Sequence, residues 1–265
     1  AHSYLLDKTY DVVIDNQSIS YGAVKIQDSF PLVEMMHHPI SKDYYYDLKF
    51  AKGILQRISK IRWYSFLKMQ KISAKKINVV VTPSVNSKAD IHIDFKVPME
   101  NIQVIPNGID CDIFCPLPHI PSKKHRLITT ASADVPLKGL DFSLEAIARL
   151  KPEYPDIHLM VIGSPRKEGH TERLIKKLEL EKHVSFKTNL TKEEITQEYA
   201  QSEAAIVSSL YEGFGFPVGE AMACATSLVA TNVASIPEIT GSFAQLIPAE
   251  NADEIYQGIK NIFKN

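Results

Sequence analysis

Apolar residues in this chain fall in short continuous runs separated by longer stretches of helical period. The strand-like runs are Tyr10–Asp15, Leu32–Met36, Asn78–Thr82, Ile102–Ile105, Arg126–Thr130, His158–Ile162, Val184–Lys187, Ala204–Val207 and Ser227–Ala230. Between them, patterns such as Leu140, Leu144, Ile147 and Ala148, or Leu174, Ile175 and Leu178, put apolar side chains on one helical face. Strands that are apolar throughout, with helices between them, predict parallel sheets covered on both faces, an α/β fold.

The pattern divides in two. Pro106-Asn107-Gly108-Ile109-Asp110 opens a turn-rich stretch, and Pro116, Pro118 and Pro121 follow before the strand at Arg126. Such proline density ends one packed unit before the next. The expected domains are therefore residues 1–119 and 120–265. The second carries a nearly complete alternation of strands and helices. The first carries about four strands and lacks the glycine-rich first βα turn of a doubly wound domain, so it reads as partial. Residues 49–76 predict a long cationic helix. Nine basic side chains (Lys49, Lys52, Arg57, Lys60, Arg62, Lys68, Lys71, Lys75 and Lys76) occur there with no acid, interrupted by Trp63, Tyr64, Phe66 and Leu67. Such a helix either rests on an anionic membrane surface or is solvated, with its aromatics packed on its own domain.

Composition narrows the function classes. Of 265 residues, 45% are hydrophobic and 23% charged, and the formal net charge is −1, so no global field favours nucleic acid or membrane. Cys111, Cys115 and Cys224 have no zinc-site spacing and suit small buried or half-buried thiols in a reducing, cytoplasmic compartment. No apolar run reaches membrane-span length. The start, Ala1-His2-Ser3-Tyr4, has no signal-peptide features and no initiator Met, as expected of a processed chain or a fragment.

Two places carry chemistry. The first is Glu212-Gly213-Phe214-Gly215-Phe216-Pro217-Val218-Gly219-Glu220-Ala221-Met222-Ala223, directly after the strand Ala204–Val207. The glycines let backbone N–H groups approach a ligand, and Pro217 suits the first turn of a helix. A strand, a glycine-rich loop and a helix start make an anion site at the carboxyl end of a sheet. Glu212 falls in the loop and Glu220 in the expected first helical turn. Either carboxylate suits vicinal hydroxyls of a ribose or sugar, although helix-dipole stabilisation explains Glu220 equally well. The second place is Lys138-Gly139, where a lysine at a helix start suits a diphosphate.

These residues resemble a known family. Glu212 to Glu220 matches the E-x7-E pattern of retaining GT-B glycosyltransferases, and the continuation to Thr226 resembles glycosyltransferase family 4. Val104–Asp110, Pro136-Leu137-Lys138-Gly139 and Ile236-Pro237-Glu238-Ile239 resemble other segments of that family, in the right order. The resemblance implies a GT-B architecture of two Rossmann-like doubly wound domains, here with the N-terminal, acceptor-side one incomplete. It implies retaining transfer of a sugar from a nucleoside diphosphate sugar to an acceptor hydroxyl of a glycan, glycolipid or small molecule, without cofactor or metal. Lys138 would meet the phosphates, Glu212 the sugar and Glu220 the ribose. Gly139 and the backbone of Gly213, Phe214, Gly215 and Phe216 would complete the donor site. Asn189, after the strand Val184–Lys187, would lie near the base, although a turn before a helix capped by Thr191 explains it too.

The chain departs from the family at Ser132, where an arginine usually supplies a second phosphate-binding charge. A hydroxyl donates a hydrogen bond without charge. Arg166 is the candidate substitute. Ala225 and Ser227 stand where glycine and proline are more usual. His37-His38-Pro39 follows a strand, and the resemblance implies that one of the two histidines faces the donor sugar. The departing phosphate is expected to accept the acceptor's proton on the same face. Other readings are a nucleotide-sugar-binding fragment without transfer activity, a nucleotide-sugar epimerase, and a protein peripheral to the inner face of an anionic membrane through residues 49–76.

Overall fold

The computed structural model describes residues 10–131 and 133–264. It divides into two compact units, residues 1–107 and 108–265.

The first unit contains β1 (Val13–Asn16), α1 (Tyr21–Gln27), β2 (Leu32–Met35), α2 (Ser41–Lys49), α3 (Ile54–Trp63), α4 (Leu67–Ala74), β3 (Val80–Thr82), α5 (Val85–Phe95) and β4 (Ile102–Val104). Its strands pair in parallel in the order β1-β2-β3-β4. Side-chain caps set two helix starts. The Ser20 hydroxyl accepts the Ala23 N–H at 3.1 Å, and the Ser84 hydroxyl accepts the Ser87 N–H at 3.0 Å. The core gathers Ile19, Met36, Ile77, Val80, Ile91, Phe95 and Ile102.

Residues 49–76 are not one helix. Gly53, at φ +91°, precedes α3, and a 3₁₀ turn at Tyr64–Phe66 separates α3 from α4. The break has a packing cause. Leu67 is buried and Tyr64 and Phe66 pack against the core, whereas among the described residues of α3 none is buried.

Glu34 lies fully buried on β2 with one carboxylate oxygen, Oε1, accepting the Ile19 N–H at 3.3 Å. Burial first, and then the adjacent Asp15 carboxyl, push the Glu34 pKa up to about 9, against the opposing Ile19 hydrogen bond. Glu34 is thus protonated in the folded protein at neutral pH but ionised in the unfolded chain.

The second unit contains β5 (Lys123–Thr130), α6 (Leu140–Leu150), β6 (His158–Ile162), α7 (His170–Lys177), β7 (Val184–Lys187), α8 (Lys192–Ala200), β8 (Ser202–Val207), α9 (Phe216–Ala223), β9 (Ser227–Thr231), α10 (Ile236–Thr240), β10 (Gln245–Ile247) and α11 (Ala252–Lys264). Its parallel sheet runs β10-β9-β8-β5-β6-β7. The first strand of the unit, β5, sits centrally, and strand order reverses between β5 and β8. On one face, Leu144, Ile147 and Leu150 of α6 share a core with Ile255 and Ile259 of α11. On the other, Tyr199, Val218, Ala221 and Ile236 form a second core with Phe114. The stretch 108–119 packs with this unit: Phe114 is in that core, and the Thr196 hydroxyl donates to the Ile113 carbonyl at 3.1 Å. Its prolines mark irregular backbone rather than unpacked chain. The sequence pattern misses the edge strand β10, in which only Leu246 and Ile247 are apolar.

Because native Glu34 binds a proton that the unfolded chain releases, stability falls as pH rises from about 4.5 towards about 9, by on the order of 1 kcal/mol per pH unit. Glu34→Gln is expected to flatten that slope and stabilise the protein at neutral pH. Denaturant titrations across this range check it, and parallel profiles for the two proteins would refute the assignment.

Candidate functional site

Parallel sheets place ligands beyond the carboxyl ends of their strands, where strand order reverses. In the second unit that point lies between β5 and β8. The loop before α6 (133–139) and the loop after β8 (208–215) meet there. Gly139 has φ +62°, and a Cβ on it would stand 2.0 Å from the Ser208 carbonyl oxygen, so no side chain fits. The Leu210 N–H donates to the Leu137 carbonyl at 2.8 Å. The Ser208 hydroxyl lies 3.2 Å from the Lys138 carbonyl and 3.0 Å from that of Gly139, and the Ser143 hydroxyl donates to it at 2.9 Å. The two loops are thereby fastened as one piece.

That fastening brings together two residues 74 positions apart. The Lys138 ammonium donates to Glu212 Oε1 at 2.7 Å, and the Ser209 hydroxyl donates to the same oxygen at 2.7 Å. Lys138 closes a 3₁₀ turn, Pro136–Lys138, and Gly139 starts α6. Glu212 is buried and its loop is pinned from below. The Ser235 hydroxyl lies 2.9 Å from the Glu212 carbonyl and 2.8 Å from that of Phe214, and the Thr231 hydroxyl donates to the Ser209 carbonyl at 2.5 Å. Ser208, Ser209, Thr231 and Ser235 were not picked out in the sequence. A lone hydroxyl has no pattern there, and only the fold gives it a role.

The glycine-rich loop does start a helix. Gly215, at φ +97°, precedes α9, and Pro217 occupies the first turn. Gly213 lies half-buried in the loop, the Phe214 ring is buried, and Phe216 is exposed, the two rings meeting edge-on at 5.2 Å. A ligand at this loop therefore meets backbone and the Phe216 ring, not the Phe214 side chain.

Glu220 does not fall in the first turn. α9 begins at Phe216, so Glu220 is its fifth residue, one turn in, where the helix dipole has little effect. Its carboxylate lies 3.3 Å from the hydroxyl of Tyr199, which is also 3.3 Å from the Pro217 carbonyl. Burial raises the Glu220 pKa, against the lowering effect of the Tyr199 hydrogen bond. Burial also holds the Tyr199 hydroxyl well above its ordinary pKa, so it remains a donor.

The other predicted residues are placed as follows. Ser132 lies outside the described residues. Arg166 is exposed on the loop after β6, and no side-chain partner holds its guanidinium among the described residues. Its backbone N–H donates to Asp134 Oδ2 at 2.7 Å, and the Thr171 N–H donates to Asp134 Oδ1 at 2.9 Å. Burial pushes the Asp134 pKa up, but these N–H bonds outweigh it and hold the carboxyl below its usual range. Asp134, which the sequence pattern missed, thus ties the loop after β5 to that after β6. Asn189 is exposed at φ +56°, two residues before Thr191, whose capping box with Glu194 starts α8. It follows the edge strand β7, two strands from β5.

His37 and His38 belong to the first unit and have different partners. His37 Nε2 lies 2.8 Å from Asn16 Oδ1, while His38 Nε2 lies 2.7 Å from Asp43 Oδ2. Gln17 clamps the pair, accepting the His37 N–H at 3.0 Å and donating to the His38 carbonyl at 3.1 Å. Among the described residues no cluster of His, Cys, Asp or Glu suits a metal ion.

The comparisons with known proteins agree on a family and a fold. Residues 118–265 match the model of glycosyl transferases group 1, and residues 2–113 match that of Glycosyltransferase Family 4. The chain belongs to the glycosyl transferases group 1 family. It is 38% identical over 250 residues to the MMP alpha-(1->4)-mannosyltransferase of Mycolicibacterium hassiacum, covering 93% of this chain and 60% of that protein. It is 31% identical over 152 residues to the D-inositol 3-phosphate glycosyltransferase of Kineococcus radiotolerans, covering 51% of this chain and 35% of that protein. The chain thus spans less than two thirds of the length of these relatives.

Solved structures share the fold. The sucrose-phosphate synthase of Thermosynechococcus elongatus superposes with a TM-score of 0.77 at 20% identity, covering 99% of this chain and 67% of that one. Anabaena Alr3699/HepE, in complex with UDP and glucose, gives a TM-score of 0.75 at 20% identity, covering 97% of this chain and 69% of that one. Two Rossmann-like units with parallel sheets make this the GT-B glycosyltransferase fold.

Gly139→Ala should drive the two loops apart, since the new Cβ would meet backbone at 2.0 Å. A loss of roughly 2 kcal/mol or more is expected, from positive φ and steric clash together. Thermal denaturation checks it, with Gly53→Ala as the comparison: Gly53 has positive φ but open space around its Cβ, so that variant should lose less.

Proposed function

We propose that this chain carries the donor-binding half of a retaining glycosyltransferase that moves a sugar from a nucleoside diphosphate sugar to an acceptor hydroxyl. The observation that carries the reading is the Lys138–Glu212 pair at the point where strand order reverses, in a chain of this family. A diphosphate is the anion that a lysine at a helix start accommodates. As the sugar leaves, negative charge grows on the diphosphate, and Lys138 with the N–H groups of the Gly213–Phe216 loop would stabilise it. Glu212, released from Lys138, would accept hydrogen bonds from the sugar. Glu220, backed by Tyr199, would accept them from the ribose. Arg166 would add the charge that Ser132 lacks.

In the first unit, His37 is the better candidate to face a donor sugar, because among the described residues its ring meets only the neutral Asn16 amide whereas His38 is held by the Asp43 carboxylate. The departing phosphate oxygen would take the acceptor's proton, which accounts for retention at the anomeric carbon. The complex of Anabaena Alr3699/HepE with UDP and glucose supports a nucleotide-sugar donor. No metal or resident cofactor is part of this reading. Among the described residues no helix is long and apolar enough to cross a membrane.

Calorimetry with a panel of nucleoside diphosphate sugars tests the binding step. Lys138→Ala should weaken the preferred donor by roughly 10- to 100-fold, the range of one charge-assisted hydrogen bond. Glu212→Gln should spare the bare nucleoside diphosphate and lose the increment due to the sugar. Glu220→Ala should weaken both equally. Unchanged affinity in the Lys138 variant would overturn the phosphate assignment. Binding without turnover would favour a nucleotide-sugar-binding role for this chain, and an epimerised donor in the absence of acceptor would identify an epimerase instead.

A further inference from the structure

The surface that α3 and α4 present belongs to the first unit and includes none of the residues proposed for donor binding. Along α3, Ile54, Leu55, Ile58 and Ile61 recur at the spacing that puts them on one side of a helix. In a soluble protein that side would be buried. Here the four residues are 74%, 80%, 48% and 51% exposed. Ile61 also belongs to a groove of about 500 Å³, whose wall includes Tyr44, Tyr64, Lys68, Lys71 and Lys75. The opposite side of α4, with Leu67, Gln70, Ser73 and Ala74, is buried against the core, so its lysines face outward.

The charges around the groove are unbalanced. Lys68, Lys71 and Lys75 have no hydrogen-bond or ion-pair partner among the described residues. The nearby acids are engaged. Asp47 takes Lys60 at 2.7 Å and the Tyr64 hydroxyl at 3.0 Å, Asp43 is bound to His38, and Asp94 accepts the Ser41 hydroxyl at 2.6 Å. Arg62 and Lys76 add charge, and residues 49–76 contain no carboxylate.

We infer that this face docks on an anionic phospholipid bilayer, with a lipid phosphate seated in the groove of Lys68, Lys71 and Lys75 and the α3 stripe resting among the upper acyl chains. The two halves of the surface match the two layers of a leaflet. Unpaired ammonium groups fit headgroup phosphates, and an adjoining aliphatic stripe fits the hydrocarbon boundary. A nucleic acid would leave the stripe in water. A purely apolar partner would leave the lysines uncompensated. This surface is independent of the donor reading, because neither Lys138 nor Glu212 takes part.

Flotation of the full chain with phosphatidylcholine vesicles, with and without phosphatidylglycerol, tests the inference, and no nucleotide is needed. The chain should float with the anionic vesicles only and be released by salt. Lys68→Glu/Lys71→Glu/Lys75→Glu should weaken binding on the order of a hundredfold, at roughly fivefold per lysine. Leu55→Gln/Ile58→Gln should weaken it about tenfold while the salt dependence remains. All five positions are exposed, so melting curves should match the wild type. Trp63, the single tryptophan, is 71% exposed and gives a fluorescence readout of the docked state. No flotation at low salt, or equal flotation of the lysine variant, would overturn the proposal. So would a dimer in light scattering that Leu55→Gln/Ile58→Gln dissolves, which would assign the stripe to a second copy of the chain.

Discussion

The candidate site depends on one close approach of backbone to backbone. The loops after β5 and β8 can touch only because Gly139 offers no Cβ to the Ser208 carbonyl. From that contact follow the serine hydroxyls that bridge the loops and the short reach from Lys138 to Glu212. A lysine side chain is long and costly to order. Fastening the loops beneath it means that little besides its own torsions must be fixed when a ligand arrives. Pre-positioned charge is what a site needs if it is to stabilise charge that develops during a reaction.

Much of this was legible in the sequence, for identifiable reasons. Interior strands such as His158–Ile162 are apolar after their first residue, and the bounds of that strand coincide with the sequence pattern. Lys138, Gly139 and the Glu212–Glu220 loop stand out because turns at positive φ call for glycine, here Gly139 and Gly215, and charged residues flank those turns. Geometry separates what pattern cannot. Glu220 was expected at the helix start, yet α9 begins early enough to carry it round to Tyr199. His37 and His38 are indistinguishable as a pair, and only the positions of Asn16 and Asp43 tell them apart.

The rest was illegible because it depends on contacts between distant segments. Asp134 reads as an ordinary loop residue until Arg166 and Thr171 present their N–H groups to it. The cationic stretch reads as one helix, because charge and helical period continue through Tyr64–Phe66. The break comes from core packing of Tyr64, Phe66 and Leu67, a tertiary demand that outweighs local propensity. Glu34 sits inside a strand that looks apolar, and its consequence for pH dependence comes from burial alone.

The Lys138–Glu212 pair has a further meaning for selectivity. Lys138 and Glu212 answer each other's charge, so neither stands as an unpaired ion where the two loops meet. A small anion that draws Lys138 away leaves Glu212 buried with only the Ser209 hydroxyl, and a neutral sugar that engages Glu212 leaves the lysine unanswered. A molecule that carries phosphate and hydroxyls on one frame replaces both halves together. On the proposed reading the pair would act as a two-key lock, turning away phosphate alone and sugar alone without any steric barrier.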